Sequence, residues 1–432
     1  MEKPRVEASL KRELGLFETT AYGIGIILGA GIYVLIGKAA GVAGNSVWLS
    51  FMIAAVLASF TGLSYAELSS LFQKDSAEYT YTKKAFRNPL LSFMIGYLIV
   101  VTGVVGTATV ALGFSGYFSA LFHTPIIMIA ILAIILFSIL NFYGIKQSAE
   151  INVIFTFIEA GGLVLIILLG LNHIGEVDYF EMPAGFSGVL TASALIFFAY
   201  IGFEDIVKLG EEVKDPQKTL PKALILSIII TTVIYILLSV SVISIMPADE
   251  LGKSDAPLAD VAAKAMGSKA FLILSVVALF STSNTVLILL ISTSRMLYGL
   301  SCERCLPKYL MKVHPKTATP WLSIITVMAA AVAFSMAGSI EYVANVTNLG
   351  TFLVFTLVNL SLIKLRYSMP DAERGFKVPF NIGRFPLTAG VGIVFTLFMV
   401  GQFTADILIS GAGIIGFGLL LYGVLGQVRK SG

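Results

Sequence analysis

The sequence has few charged residues, few histidines and few cysteines. Only 13% of its 432 residues are Asp, Glu, Lys or Arg, whereas a soluble domain carries about 25%. The formal net charge of +3 is too small to indicate nucleic acid as a partner. There are three histidines, no His-Glu-x-x-His or Gly-x-Ser-x-Gly motif, and no Gly-x-x-x-x-Gly-Lys-Ser/Thr loop. These absences disfavour a hydrolytic enzyme and direct use of ATP.

Apolar residues are abundant: they make up 57% of the sequence and give a mean hydropathy of +0.90. The apolar runs are about 20 residues long, the length that a helix needs to cross the hydrocarbon of a bilayer. The alternation of apolar and polar residues that marks a transmembrane barrel is absent. We therefore expect an all-α integral membrane protein with twelve transmembrane helices. The predicted spans are residues 16–40, 45–70, 90–120, 125–143, 149–171, 188–207, 222–246, 270–298, 320–337, 340–363, 385–408 and 411–428.

Lysine and arginine residues are concentrated in alternate loops between these spans. Of the 29 basic residues, only Lys38, Lys253, Lys264 and Lys269 lie on the other side. Because basic loops stay in the cytoplasm, this bias predicts a multi-pass protein of the cell membrane with both termini cytoplasmic. The charged residues before position 13 lead directly into the first apolar segment, so we expect no cleavable signal peptide.

The first span contains a glycine-rich stretch near its middle, Gly29-Ala30-Gly31. Glycine frees the backbone to leave helical angles, and non-helical backbone at this depth survives only inside protein or beside a wet cavity. Close helix packing is the alternative interpretation, because Gly25 and Gly29 also form a small-xxx-small pattern.

The sixth span is interrupted as well, at Ile201-Gly202, and Glu204 and Asp205 follow directly. Breaks in the first and sixth spans are corresponding positions of two five-helix halves, which points to a transporter site built from inverted repeats. Half-helix N-termini would offer N–H groups to a carboxylate, and freed carbonyls would face an ammonium. An acidic side chain deep in a bilayer costs about 2.5–3.5 kcal/mol, which favours a binding or coupling role. For Glu204, a helix-end pair with Lys208 is the alternative.

The fifth span contains Asn152, Thr156 and Glu159 on one helical face. A carboxylate among apolar neighbours must be protonated, paired or coordinated. The eighth span offers possible oxygen partners in Ser281, Thr282, Ser283 and Asn284. Together these groups would suit a proton or a small hard cation. The alternative is that Glu159 is neutral and hydrogen-bonded between helices, with the hydroxyls joining helices.

The remaining acidic residues and the cysteines carry no predicted chemistry. Glu67, near the inner end of the second span, and Glu341 and Asp406, near outer ends, are expected at the membrane interface. Cys302 and Cys305 form a Cys-x-x-Cys pair, but tetrahedral zinc needs four ligands and no second pair exists. We expect reduced thiols, with no metal and no cofactor.

Several motifs, in this order along the chain, carry a family resemblance. They are Gly29-Ala30-Gly31, Asn141-Phe142-Tyr143-Gly144-Ile145-Lys146, Phe198-Ala199-Tyr200-Ile201-Gly202-Phe203-Glu204, Ser281-Thr282-Ser283-Asn284 and Phe376-Lys377-Val378-Pro379. On these motifs the chain resembles the amino acid–polyamine–organocation transporter superfamily over nearly its whole length.

The resemblance implies a leucine-transporter-type fold with a five-plus-five inverted repeat and discontinuous helices 1 and 6. A single transmembrane domain, 16–428, would follow a cytoplasmic segment 1–15 and precede a tail 429–432. Within it, the resemblance implies three parts: a first repeat at 16–171, a second inverted repeat at 188–366, and two additional helices at 385–428.

The resemblance also implies roles for individual residues. The substrate carboxylate would be held by Ile27, Gly29, Ala30 and Gly31. Phe198 would be an aromatic lid, and carbonyls around Phe198, Ile201 and Gly202 would take the amine. Glu204 matches an acidic position used in proton-linked gating, and Thr282 and Ser283 match a second cation site. The chain departs from the family at Glu159, where several proton-coupled members have a lysine; a carboxylate there favours capture of a cation.

The expected function is a secondary transporter that moves an amino acid or related amine by alternating access, coupled to H⁺ or Na⁺. An amino acid exchanger without ion coupling is the main alternative. An ion channel would need a ring of repeated filters, and none is visible. The expected partners are an amino acid, the coupling cation and the lipid bilayer, and the oligomeric state is open.

Overall fold

The computed structural model describes residues 14–72, 77–144, 149–210, 212–303 and 305–431, without the side chains of residues 77, 149–154, 208 and 426–431. The predicted cytoplasmic segment 1–15 lies almost entirely outside the described residues. The side chains of Asn152 and Lys208 lie outside them too.

The described chain is almost entirely helical. Its α-helices are α1 Leu16–Ile27, α2 Ala30–Ala43, α3 Val47–Leu71, α4 Ala77–Phe86, α5 Pro89–Phe122, α6 Ile126–Phe142, α7 Ala149–Gly170, α8 Gly185–Ile196, α9 Pro216–Ile245, α10 Ala248–Lys253, α11 Pro257–Met266, α12 Ser268–Cys302, α13 Trp321–Ser335, α14 Ile340–Ser368, α15 Leu387–Val400 and α16 Ala405–Ser431. Short 3₁₀ helices occupy Gly44–Ser46, Leu171–His173, Phe197–Tyr200, Phe203–Leu209 and Lys308–Met311. A two-residue hairpin pairs β1 (Asn381–Ile382) with β2 (Phe385–Pro386).

Eight helical stretches of the described chain are long and apolar enough to cross a membrane, and four shorter apolar helices accompany them. The expectation of an all-α, multi-pass membrane protein is confirmed at this level. Every predicted span overlaps at least one of these helices, and the first overlaps two, α1 and α2.

Local sequence explains where several helices begin. The Asn88 side chain accepts hydrogen bonds from the amides of Leu90 (2.9 Å) and Leu91 (3.3 Å), and Pro89 occupies the first position of α5. A side-chain acceptor followed by proline is typical of a helix start, because the first amides have no partner within the helix. Ser339 caps α14 in the same way, accepting from the amide of Tyr342.

The end of the eleventh predicted span is wrong in detail. We predict a helix over 385–408, but α15 ends at Val400 and α16 begins at Ala405. The amide of Gly401 bonds back to Leu397 and Phe398, and Phe403 bonds to Val400, so the chain turns here. The apolar residues on both sides of the turn hide it from a hydropathy window.

The helices fall into an interior set and a lipid-facing set. α5 packs against α12 and α14, and α3 packs against α9, while α1 packs against α9 and α7. The outer helices α6 and α16 present large apolar side chains outward, such as Leu136, Ile409 and Leu420. In a bilayer such exposure is expected, because lipid is as apolar as these side chains. The interior set positions the site described next.

Candidate solute site at two helix breaks

The first break separates α1 from α2 at Leu28 and Gly29. Two glycines there make close contacts that a side chain would prevent. A Cβ at Gly29 would lie 2.9 Å from Oγ1 of Thr285, and a Cβ at Gly31 would lie 2.7 Å from the backbone Cα of Ala199. The start of α2 therefore packs closely against α12 and against the segment that holds Ala199.

The second break lies at Ile201 and Gly202, between the 3₁₀ helices Phe197–Tyr200 and Phe203–Leu209. Gly202 has a φ of +121°, a backbone conformation that side chains disfavour. A Cβ at Gly202 would also overlap Cγ2 of Ile26 at the end of α1. The two breaks therefore touch each other at two points, Gly31 against Ala199 and Gly202 against Ile26.

Side chains from α9, α14 and α12 form hydrogen bonds with backbone groups that the breaks leave without helical partners. The hydroxyl of Tyr235 lies 2.5 Å from the Ile27 carbonyl oxygen and 2.9 Å from that of Ala199. Asn348 donates its amide to the carbonyls of Ala194 (2.7 Å) and Leu195 (2.9 Å) at the end of α8.

At the first break the amide of Ala30 donates to Oγ1 of Thr285 at 3.2 Å. Thr285 in turn donates to the carbonyl of Ser281 within α12. Sequence reasoning missed Tyr235, Thr285 and Asn348. The sequence shows that the seventh, eighth and tenth spans contain many hydrogen-bonding side chains. It does not show which of these side chains face the breaks.

The seven residues predicted to bind substrate all lie in or beside the breaks. These are Ile27, Gly29, Ala30, Gly31, Phe198, Ile201 and Gly202. The Phe198 side chain is buried, and its ring edge faces α5: a Cβ at Gly106 would lie 3.9 Å from Cε2 of Phe198. The structure therefore brings these residues together, while their roles stay predictions.

Glu204 folds back onto the second break. Its Oε2 accepts a hydrogen bond from the amide of Gly202 at 2.9 Å, so the carboxylate satisfies a backbone group freed by the break. Tyr65 lies near Glu204, and its phenol donates a hydrogen bond to Glu78 at 3.2 Å. The predicted gating role of Glu204 is compatible with this position next to Gly202. The alternative pairing with Lys208 involves a side chain outside the described residues.

Glu159 is enclosed at the middle of α7, with 1% of its surface exposed. Its carboxyl lies beside Ser281 and Asn284 of α12, and its Oε1 makes no hydrogen bond in the described structure. Of the predicted cation-site residues, Thr282 donates its hydroxyl to the Ala278 carbonyl of its own helix at 2.7 Å, and Ser283 is half-buried. The eighth-span groups closest to Glu159 are therefore Ser281 and Asn284.

Glu67, expected from the sequence at the membrane interface, lies near the end of α3 and is enclosed by protein. It is fully buried, and Arg366 donates to both of its oxygens, at 2.5 and 2.6 Å. Arg374 Nε lies 3.0 Å from Oε1, and the amide of Val378 donates to Oε2 at 2.9 Å. Burial lowers the pKa of Arg374, and the Glu67 carboxylate opposes that shift. The cluster joins α3, the end of α14 and the following loop. A single sequence does not show which arginines fold inward to meet Glu67.

Two cavities lie away from the breaks. One of about 540 Å³ is lined mainly by apolar side chains of α5, α13 and α16, including Val104, Phe334 and Phe417. The other, of about 150 Å³, is lined by Lys38, Asp255 and Glu341 among others. Within the described residues Cys302 and Cys305 are free thiols, and no three or more His, Cys, Asp or Glu side chains are grouped to hold a metal ion.

This architecture, with many apolar helices around paired backbone breaks, is that of a helical membrane permease. The chain belongs to the amino acid permease family, whose model matches residues 14–422. The family resemblance inferred from the motifs is confirmed, and the family consists of transporters rather than enzymes.

Three relatives illustrate the range of the family. A branched-chain amino acid permease of Bacillus subtilis is 31% identical over 91% of this chain and 88% of its own length. A methylthioribose transporter of the same organism is 31% identical over 86% of this chain and 85% of its own. A vacuolar cationic amino acid transporter of Arabidopsis thaliana is 29% identical over 84% of this chain and 64% of its own.

Proposed function

We propose that this protein is a secondary active transporter that moves an amino acid, or a related amine, across the cell membrane by alternating access coupled to H⁺ or Na⁺. The observation that carries the proposal is the contact between the two helix breaks. Backbone amides and carbonyls leave their helices at the same place, where they can bind the two charged ends of an amino acid. The relatives named above carry different solutes, so similarity leaves the particular substrate open.

The substrate carboxylate is proposed to bind at the start of α2. Amides of Gly29, Ala30 and Gly31 lie at the positive end of this helix, which favours an anion. In the structure, the amide of Ala30 donates to Oγ1 of Thr285 at 3.2 Å. A carboxylate would replace this neutral, rather long bond with a charge-assisted one, which is stronger.

The substrate amine is proposed to bind at carbonyls of the second break, around Phe198, Ile201 and Gly202, beneath the Phe198 ring. The carbonyls of Ile27 and Ala199 support this choice, because a single phenol proton from Tyr235 is shared between them. An ammonium has three protons to donate and would satisfy groups that one hydroxyl cannot.

The coupling cation is proposed to bind at Glu159, with Thr282, Ser283 and Glu204 as further members of the coupling machinery. Glu159 supports this proposal because a buried carboxylate oxygen without a hydrogen bond is costly unless it takes a proton or a metal cation. If the cation binds better in one state of the transporter, its gradient shifts the population of states.

The proposed topology has twelve crossings, two inverted repeats at 16–171 and 188–366, two additional helices and cytoplasmic termini. The distribution of basic residues supports this orientation. The predicted repeats each begin with the span that contains a break.

Reconstituted liposomes test the function. We predict that a cation gradient drives accumulation of radiolabelled amino acid, and that Glu159→Gln abolishes accumulation while counterflow exchange continues. The matched control is Glu176→Gln, which changes an exposed loop carboxylate and should behave as wild type. Unchanged accumulation in Glu159→Gln rejects the coupling role. Uptake that depends only on amino acid inside the liposomes favours the exchanger, and unitary currents favour a channel.

A further inference from the structure

A chain of buried hydrogen bonds connects α11 with Glu159. The amide of Leu258 in α11 donates to the Tyr117 hydroxyl at 3.4 Å. Tyr117 in α5 donates to the carbonyl of Tyr33 at 2.7 Å, and Tyr33 in α2 donates to the carbonyl of Glu159 at 2.6 Å. Both tyrosines are fully buried. In the proposed topology α11 lies on the outer face, so these hydrogen bonds lead from the outer face to the middle of the bundle.

The last of these bonds depends on one glycine. A Cβ at Gly162 would lie 2.7 Å from the Tyr33 hydroxyl oxygen and 2.8 Å from Cγ1 of Val277, both too close for an ordinary contact. A Cβ at the adjacent Gly161 would meet nothing within 4 Å. Only the second glycine of the Gly161-Gly162 pair is therefore needed for Tyr33 to approach α7.

The bond also joins two parts that the proposed mechanism uses separately. Tyr33 is the fourth residue of α2, the half-helix whose first amides are proposed to bind the substrate carboxylate. Glu159 is the proposed cation ligand in α7. Since Tyr33 bonds to the peptide group of Glu159 itself, a displacement of α2 relative to α7 must either break this bond or move the turn that carries the carboxylate.

We propose that Tyr33 is a positioning residue for Glu159, so that the cation site has its full affinity only while α2 keeps its present position against α7. The inference rests on the proposed function. Through this bond the position of α2 would change the affinity for the cation. A bound cation would in turn favour the present position of α2, because coupling between two sites is reciprocal.

The groups around Glu159 single out Tyr33 among its neighbours. Among the described residues, the titratable side chains that lie near enough to feel the charge of the carboxylate are the phenols of Tyr33 from α2 and Tyr235 from α9. From α12 come the neutral Ser281 and Asn284. Tyr235 is occupied with the carbonyls of the two breaks, whereas Tyr33 is bonded to the main chain of Glu159.

The test is the cation dependence of amino acid binding in the purified full-length protein. The twenty common L-amino acids are screened one by one for thermal stabilisation, and the most stabilising one is the probe. Its binding is then titrated with Na⁺ at fixed pH and with H⁺ at fixed Na⁺. Tyr33→Phe and Gly162→Ala attack the same bond from opposite sides, and Gly161→Ala is the matched control. A double variant, Tyr33→Phe with Gly162→Ala, completes the set.

We expect the cation midpoint to shift toward higher concentration by about three- to tenfold in Tyr33→Phe, the range that one hydrogen bond supplies. Gly162→Ala should shift it in the same direction, Gly161→Ala should match wild type, and the double variant should show less than the product of the single effects. A wild-type midpoint in Tyr33→Phe overturns the inference, as does an equal shift in Gly161→Ala. If Gly162→Ala does not fold, Tyr33→Phe against wild type decides alone.

The two proposals fail in different ways. If Glu159→Gln removes the cation dependence while Tyr33→Phe leaves it unchanged, the coupling role of Glu159 stands and the positioning role of Tyr33 falls. If binding in the wild type depends on neither Na⁺ nor H⁺, both fall together. A general loss of stability in Tyr33→Phe with an unchanged midpoint assigns the hydroxyl a structural role only, which also overturns the inference.

Discussion

Removal of the Tyr235 hydroxyl is the most direct test of whether the two breaks form one unit. The phenol lies between the carbonyl oxygens of Ile27 and Ala199, at 2.5 and 2.9 Å, so one atom contacts both breaks. In Tyr235→Phe the ring can stay in place against Phe51 and Tyr200, while both carbonyls lose the shared donor. The perturbation is thus confined to the hydrogen bond.

The size of the effect follows from this geometry. A buried acceptor left without a partner costs about 1–3 kcal/mol, while measured interhelical hydrogen bonds in membranes average about 0.6 kcal/mol and reach about 1.7. Because one proton serves two carbonyls, we expect a loss of about 1–2 kcal/mol in the free energy of unfolding. The same loss of order at the breaks should weaken amino acid binding by up to about tenfold, since 1.4 kcal/mol corresponds to a factor of ten.

Reversible unfolding by SDS in mixed micelles measures the first quantity, and amino acid binding in detergent measures the second. Tyr200→Phe is the matched control: its hydroxyl is equally buried but donates to Phe51 in α3 at 3.1 Å, outside the breaks. It should cost stability and leave binding unchanged. If both variants bind the amino acid as wild type does, the idea that Tyr235 holds a shared substrate cradle is refuted.

Two further variants address the backbone and the buried charge cluster. Gly202→Ala should destabilise the protein by about 1–3 kcal/mol and abolish amino acid binding, because φ is +121° and the new Cβ overlaps Ile26. Its control is Gly383→Ala, where φ is +60° and a Cβ meets nothing within 4 Å. Similar losses in both variants would show that the break itself is unimportant. Glu67→Ala should lower the free energy of unfolding by about 3–5 kcal/mol, since it leaves Arg366 and Arg374 without their buried partner. The control is Glu303→Ala, which removes the exposed Glu303–Lys83 pair and should cost less than about 1 kcal/mol in the same SDS titration.

The apolar pattern and the glycines predict much of this architecture, for physical reasons. A helix must bury about 20 apolar residues to cross lipid, so span positions follow from hydropathy. Gly29, Gly31 and Gly202 lie at or beside the breaks, and a Cβ would not fit at any of them. The turn at 401–404 escapes the same reasoning, since apolar residues continue on both sides of it.

Partners between distant helices are not predictable in this way. A sequence shows that Glu159 must be paired, protonated or coordinated, but it does not show the rotation of α12 that presents Ser281 and Asn284 rather than Thr282. It likewise places Glu67 near the end of a helix without revealing that Arg366, 299 residues away, folds against it. Such contacts depend on helix packing angles, which one chain's periodicity leaves undetermined.

The breaks are filled by the protein's own side chains, and this has a consequence for transport. Thr285 binds the amide of Ala30, Tyr235 serves the carbonyls of Ile27 and Ala199, and Asn348 serves the end of α8. A substrate would therefore exchange existing hydrogen bonds for new ones, so the net gain per bond is small. Modest affinity suits a carrier, because a carrier must release its solute on the far side of the membrane. Backbone groups without any partner would hold the solute too tightly. They would also be costly to bury whenever the solute is absent.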